Sequence, residues 1–348
     1  MKLKPKLNLI LVLSISLLLL SCGEDAAGPS DPYDLWYSQQ NESIVFLSKA
    51  HSSEGELYLL DKSGDVTRLT FNNRHENNPA ISGDGTMIAF QAGDQYDMST
   101  WEIYVLDIAS GAETRLTDNS FIEAHPDWGP GDSLLVFSSW HDSTGAPTGA
   151  ADIFTMHSDG THVTRLTDSP WEDNDAEWSP DGAFIAFKSN RITQIAAREE
   201  IFVMDADGAD QRRLTTTVGW QSDHDPSWSP DSRTIVYSHY NGSRQWFDIA
   251  DPDIFVNNWN ELIPWNICSV DLQGNSEQLT DVVYIAGLPV FSDDGSSILF
   301  LRMDFIFDTS GELIGADHPL ILIPESGGTG EQLIPDDEHT GTLEYHDW

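Results

Sequence analysis

The 348 residues include 57 acidic and 17 basic side chains, a formal charge of −40, and such a surface repels nucleic acid and anionic lipid headgroups. Nucleic acid is excluded as a partner on that ground. Cys22 and Cys268 are the two cysteines, so no disulfide framework holds the chain, and about 300 residues are enough for a hydrophobic core to do so.

In chain order, Lys2, Lys4 and Lys6 precede an apolar run over 7–20 and then Ser21-Cys22. A basic start, a short apolar core and a small residue are the parts of a secretory signal. The run is shorter than the ~20 residues a bilayer-spanning helix needs. Leu19-Leu20-Ser21-Cys22 resembles the lipobox of bacterial lipoproteins, which implies cleavage before a lipidated Cys22. The alternative is an ordinary signal peptide with a chance cysteine. Three basic residues and no acids lie before Cys22, which leaves 14 bases against 57 acids and a formal charge of −43. Residues 23–42 are rich in Gly, Pro, Ser and Asp and read as a flexible tether. The expected location is the cell envelope, as an outer-membrane lipoprotein facing the periplasm or the cell surface, with the lipid as its only membrane contact.

From residue 43 onward a unit recurs: an inner segment ending in an aromatic, a turn, a strand of the form I-x-F, another strand, a turn with Gly, and R-L-T. Ile81, Trp128, Trp178, Trp228, Phe291 and Trp348 end the inner segments, at spacings of 47, 50, 50, 63 and 57 residues. Phe46, Phe90, Phe137, Phe187, Tyr237 and Phe300 form the I-x-F column. A period of this length in short β-branched and aromatic runs implies radial repetition of small sheets. The expected fold is an all-β six-bladed β-propeller over 43–348. The first Phe lacks an inner segment and the last Trp lacks a following strand. Residues 342–348 are therefore expected to pair with the N-terminal blade at 43–70 and close the ring. Cys268 falls in the column of Tyr58, Tyr104, Phe154 and Phe202 and reads as a buried small hydrophobe.

Two stretches carry a family resemblance. His224-Asp225-Pro226-Ser227-Trp228-Ser229-Pro230-Asp231, followed by Ile235-Val236-Tyr237, resembles the repeat of TolB-like six-bladed propellers. So does Asp175-Ala176-Glu177-Trp178-Ser179-Pro180-Asp181-Gly182 with Ile185-Ala186-Phe187 and Arg213-Leu214-Thr215. TolB itself carries an additional α/β domain, for which this chain leaves no room, so the resemblance does not bring TolB's partners with it.

Antiparallel strands place the short turns, such as Ser179-Pro180-Asp181-Gly182 and Asp205-Ala206-Asp207-Gly208, on one face. The long connections at 93–100, 141–151, 190–200, 241–265 and 303–318 lie on the other, where binding is expected. At that face the inner segments begin with Glu76, Glu123 and His125, Asp173 and Asp175, Asp223, His224 and Asp225, and His346 in the closing blade. Ala286-Gly287-Leu288 breaks the pattern. These carboxylates and imidazoles form either a cation site at the channel mouth or a solvated ring that hydrogen-bonds the strand ends. No cofactor is expected beyond such a divalent cation. The insertion at 241–265 carries Trp246, Trp259 and Trp265 among acids, either a stacking surface for a sugar or protein, or a lid packed on its own blade.

Other chemistry is poorly supported. Asp205-Ala206-Asp207-Gly208 lacks the twelfth-position Glu of a calcium loop. Gly131-Asp132-Ser133-Leu134 spells a serine-hydrolase block but falls on a tight turn with no following helix. G-x-S-x-G, H-E-x-x-H and a phosphate-binding Gly loop do not occur. The expected function is a non-catalytic binding or scaffold module for an envelope protein or glycan. The alternative is a metal-dependent glycan lyase or hydrolase at the acidic channel mouth.

Overall fold

In a computed structural model, residues 37–332 are described except 41–42, 49–54, 62–64, 95, 142–144, 194–197, 220, 243–264, 282–284, 308–312, 318–319 and 329–330. The short apolar runs form six antiparallel sheets, one after another along the chain. Blade 4 shows the pattern: Asp173–Trp178 innermost, then Phe184–Ser189, Glu200–Asp205 and Arg212–Arg213 outward. Inner strands Tyr37–Gln40, His75–Ile81, Glu123–Trp128, Ser222–Trp228 and Ile285–Phe291 open blades 1, 2, 3, 5 and 6. The fold is the six-bladed β-propeller read from the repeat.

The first blade differs from expectation. Tyr37–Gln40 pairs with Ser43–Ser48, Tyr37 opposite Phe46 and Gln40 opposite Ser43. It takes the edge assigned from sequence to 342–348, and it lies inside the expected tether at 23–42. Tyr-Ser-Gln-Gln lacks the large terminal apolar residue that ends the other inner strands, so periodicity does not reveal it. The segment 333–348, with His346 and Trp348, lies outside the described residues, as do Cys22 and the signal.

Several expected loops are hairpin extensions instead. Met87–Asp94 pairs with Asp97–Asp107 as far as Asp94 opposite Asp97, and Leu134–His141 with Pro147–His157 as far as His141 opposite Pro147. In blade 6, Ser297–Phe307 continues beyond the sheet to pair with Leu313–Asp317, Asp304 opposite Asp317.

The core lies between sheets rather than within one domain centre. Ala80, Ala89, Ile103 and Val105 of blade 2 pack against Trp128, Leu135, Phe137 and Phe154 of blade 3. Corresponding clusters fill the other four successive seams. The I-x-F residues are all buried, and each fully buried Phe contributes about 2–3 kcal/mol. Phe90 stacks on Tyr104 and Phe137 on Phe154 across neighbouring strands, both at 5.7 Å. Cys268 lies opposite Tyr237 in the same column, buried and free, its thiol pushed up to about 12 by burial first. The tryptophans also bond across seams: Trp128 Nε1 donates to the Ala80 carbonyl at 2.9 Å and Trp228 Nε1 to that of Glu177 at 3.2 Å.

The glycine before R-L-T has a steric origin. Gly208 sits at φ +87°, and a Cβ there would lie 2.9 Å from the carbonyl oxygen of Leu166, the R-L-T leucine of the preceding blade. Gly160 meets Leu116 and Gly327 meets Leu279 in the same way. Replacing Gly208 with Ala should cost about 2–3 kcal/mol, through backbone strain and the forced separation of two blades. Gly111→Ala, at φ +68° with open space around it, should cost about 1 kcal/mol. Thermal melts of the two variants compare these directly, and equal losses would exclude the steric account.

Candidate functional site

The inner strands of blades 2 to 5 begin with a buried acid that turns away from the channel. Glu76 accepts from Thr70 Oγ1 at 2.6 Å, Asn72 Nδ2 at 2.6 Å and the Leu57 amide at 3.2 Å. Asp223 accepts from Thr215 Oγ1 at 2.5 Å, with His239 Nδ1 at 2.6 Å. Glu123 takes Asn119 Nδ2 at 2.6 Å, and Asp173 takes Ser189 Oγ at 2.6 Å and the Arg191 guanidinium. Glu76 and Asp223 thereby fasten their blades to the preceding ones, and all four carboxylates, at most 1% exposed, lie outside the channel lining.

The same geometry explains R-L-T. The threonine hydroxyl accepts the amide at the start of the third strand in five blades, at 2.8–2.9 Å: Leu57, Ile103, Ile153, Ile201 and Ile267. The arginine pairs with a fully or almost fully buried acid one residue earlier on that strand. Arg68 meets Glu56 at 3.0 Å, Arg115 meets Glu102 at 2.7 Å, and Arg165 meets Asp152 likewise. In blade 5 Gln278 and Asn266 hold these places, so both charges disappear together.

The channel belongs to a different set of residues. Asn78, His125, Asp175, Asp225 and Leu288 occupy equivalent positions at positive φ between 47° and 57°. Each marks a bulge, with a register shift against the second strand. The amides of four of them reach back to the preceding blade. His125 N donates to Gln91 Oε1 at 2.9 Å, Asp175 N to Ser138 Oγ at 3.3 Å, Asp225 N to Asp175 Oδ2 at 3.2 Å, and Leu288 N to Ser238 Oγ at 3.2 Å. Leu288, in the blade where the acidic pattern breaks, keeps the backbone conformation.

A cavity of about 790 Å³ follows the axis from these bulges to the short-turn face. Its charged lining is acidic, with Asp127, Asp175, Glu177 and Asp225 deepest and Asp84, Asp132 and Asp293 at the turns. Burial pushes Asp127 up to about 7, and burial with the neighbouring Asp127 charge pushes Glu177 well above the usual carboxylate range. Asp127 and Glu177 stand just before the inner tryptophans, and alternation along the strand would have placed them on the axis. This cavity thus opens at the face expected to be plain.

Towards the long-loop face the bulges meet Lys188, whose ammonium lies 3.7 Å from Asp175 and 4.0 Å from Glu199. Glu199 Oε2 is also 3.0 Å from His224 Nδ1. His224 packs on Trp265 at 5.0 Å between ring centres, and Trp265 is a buried strand residue that also meets Tyr240 at 5.3 Å. Trp246 and Trp259 lie outside the described residues. Burial pushes His125 down to about 4 and His224 well below its usual value, so both imidazoles are neutral near pH 7. Of the residues expected at the channel mouth, His125, Asp175, His224 and Asp225 come together there; Lys188 and Glu199 join them without a motif to announce them. Among the described residues, no three His, Cys, Asp or Glu side chains form a group suited to a metal ion.

The buried acids set a pH dependence. Burial raises Glu76, Asp127 and Glu199 to about 7, Glu123 to about 8 and Asp225 to about 6. The folded state therefore binds protons that the unfolded chain releases. Their stabilising contribution is complete below the ordinary carboxylate range, about 4, and is lost as pH rises through 6 to 8. Asp84, Asp181 and Asp294, lowered by hydrogen bonds within their turns, act oppositely and only in acid below that range. The melting temperature should be about 5 °C or more higher at pH 5 than at pH 8. A flat or rising profile across that window would contradict the assignment.

Comparison with known proteins agrees with this architecture. Residues 144–263 match the family described as the TolB beta propeller domain. No curated protein matches the chain by sequence. A protein of Agrobacterium tumefaciens assigned as TolB superposes with a TM-score of 0.56 at 21% identity, over 78% of this chain and 84% of its own. TolB of Acinetobacter baumannii gives 0.58 at 19%, over 82% of this chain and 61% of its own, so the match spans less than two thirds of that protein. An oligogalacturonate lyase in complex with manganese gives 0.56 at 17%, over 86% of this chain and 75% of its own. At such identities the likeness is one of fold. The chain is a six-bladed β-propeller whose fold is similar to that of the TolB propeller.

Proposed function

We propose that this propeller is a non-catalytic binding module of the cell envelope, attached to a membrane by lipid on Cys22, whose long-loop face engages a protein or glycan. The observation that carries this reading is the placement of exposed apolar side chains. Among the described residues six large hydrophobics are strongly exposed, and five of them belong to the long-loop face. Phe71 and Val218 lie on connections between blades, Tyr96 and Met98 at the tip of the blade 2 hairpin, and Ile192 on the blade 4 connection, all 56–89% exposed. Only Val163 falls on the short-turn face. Apolar groups gathered at one end of a strongly acidic molecule favour burial against a partner.

The competing reading is a metal-dependent lyase or hydrolase, since an oligogalacturonate lyase shares the fold. Against it, the acids at the strand starts are already committed: Glu76 to Thr70 and Asn72, Asp223 to Thr215 and His239. A base held by strong structural hydrogen bonds is poorly placed to take a substrate proton.

Two measurements test the proposal. Cys22→Ser should move the protein from the membrane to the soluble fraction. Joint replacement of Tyr96, Met98, Ile192 and Val218 by Ser should lower capture of envelope material about tenfold with an unchanged melting temperature, whereas Val163→Ser should leave capture intact. Equal capture by all three proteins, or metal-dependent cleavage of an acidic glycan by the wild type, would overturn it.

A further inference from the structure

Lys188 is one of three lysines beyond the signal, and it is placed where the chain is most acidic. It follows Phe187 on the second strand of blade 4. The equivalent residues are Leu47, Gln91, Ser138, Ser238 and Leu301, so only in blade 4 does this strand position carry a charge. Its side chain is 14% exposed, and its nearest acidic partners are similarly enclosed, Glu199 at 10% and Asp175 at 17% exposed. Burial alone would favour loss of its proton, but Glu199, Asp175, Asp225 and Glu172 together outweigh that and hold the ammonium charged. The imidazoles facing it, His125 and His224, are kept neutral and add no positive charge.

Two of those acids hold the bulges in place. Asp175 Oδ2 accepts the Asp225 amide at 3.2 Å; Asp225 Oδ2 accepts Ser238 Oγ at 2.7 Å and lies 3.4 Å from the Leu288 amide. The amides of blades 5 and 6 therefore rest on carboxylates that repel one another. Glu199 adds a further link, since its carbonyl accepts the Asp223 amide at 3.0 Å and its own amide donates to Ser222 Oγ at 2.9 Å.

We propose that Lys188 is a tethered counter-ion built into the propeller axis: its ammonium takes the place of a free cation among Glu172, Asp175, Glu199 and Asp225 and so holds blades 4, 5 and 6 in register. Attraction to four carboxylates in a partly dry site outweighs the cost of burying one ammonium, which a surface pair could not do. The device belongs to the fold and does not depend on the ligand of the long-loop face.

The test separates charge from packing. Lys188→Met keeps the length of the side chain and removes the charge. Its loss in melting temperature should be at least about twofold larger at pH 8, where Glu199 and Asp225, at about 7 and about 6, are ionised, than at pH 5, where both have taken up protons. Adding Glu199→Gln should recover part of the loss at pH 8. Folding of Lys188→Met at pH 5 but not at pH 8 is the same result in stronger form. An equal loss at both pH values overturns the proposal, as does a Lys188→Met, Glu199→Gln double variant no more stable at pH 8 than Lys188→Met alone.

Discussion

One threonine hydroxyl in each of blades 1 to 5 organises the propeller. It accepts the amide that opens the third strand, as Thr215 does from Ile201, and that amide would otherwise be buried without a partner. In blades 1 and 4 the same hydroxyl donates to the first acid of the next blade, Glu76 or Asp223. A sheet cannot shift against its neighbour without breaking this bond, and a buried carboxylate left unpaired is far more costly than a lost surface contact. The R-L-T motif is therefore an interblade joint. Leucine fills the seam, threonine fixes it, and arginine neutralises the acid beside it.

A chain with 57 acids has to place them in different environments. Those of the short turns are exposed and close their own loops, as Asp181 accepts from Ser179 Oγ at 2.8 Å and the Ala183 amide at 2.9 Å. Those in the seams meet arginine, asparagine or threonine. Those of the axis are the least compensated, and the cavity they line opens at the end of the molecule opposite the exposed apolar residues. Acidity is thus a property of three separate structures rather than of a uniform surface.

The columns of large residues were legible because burial in a seam leaves a period in the sequence. Trp128, Trp178 and Trp228 and the I-x-F phenylalanines stand where their spacing put them, and Cys268 occupies its aromatic column. The acids were harder to place. Alternation puts Asp173, Asp175 and Glu177 on one face, but the bulge between Asn174 and Glu177 shifts the phase, so Asp173 turns into the seam while the other two line the channel. A left-handed residue before Pro or Ala gives no signal that spacing can detect. Nor does Tyr37–Gln40, a short polar strand fixed by its backbone partners. Lys188 escaped because its meaning comes from Glu199 and Asp225, brought beside it only by the ring.

Each sheet is assembled from strands adjacent in sequence, and each hairpin within it joins near neighbours. Pairing inside a blade needs little loop closure, so it can proceed while the remainder of the polypeptide is still being made. The slow event is then the docking of one preformed sheet on the next, with the seam tryptophans as the adhesive. Assembly of this kind grows by accretion, and an error in one repeat halts the stack at that point without disturbing the repeats already laid down.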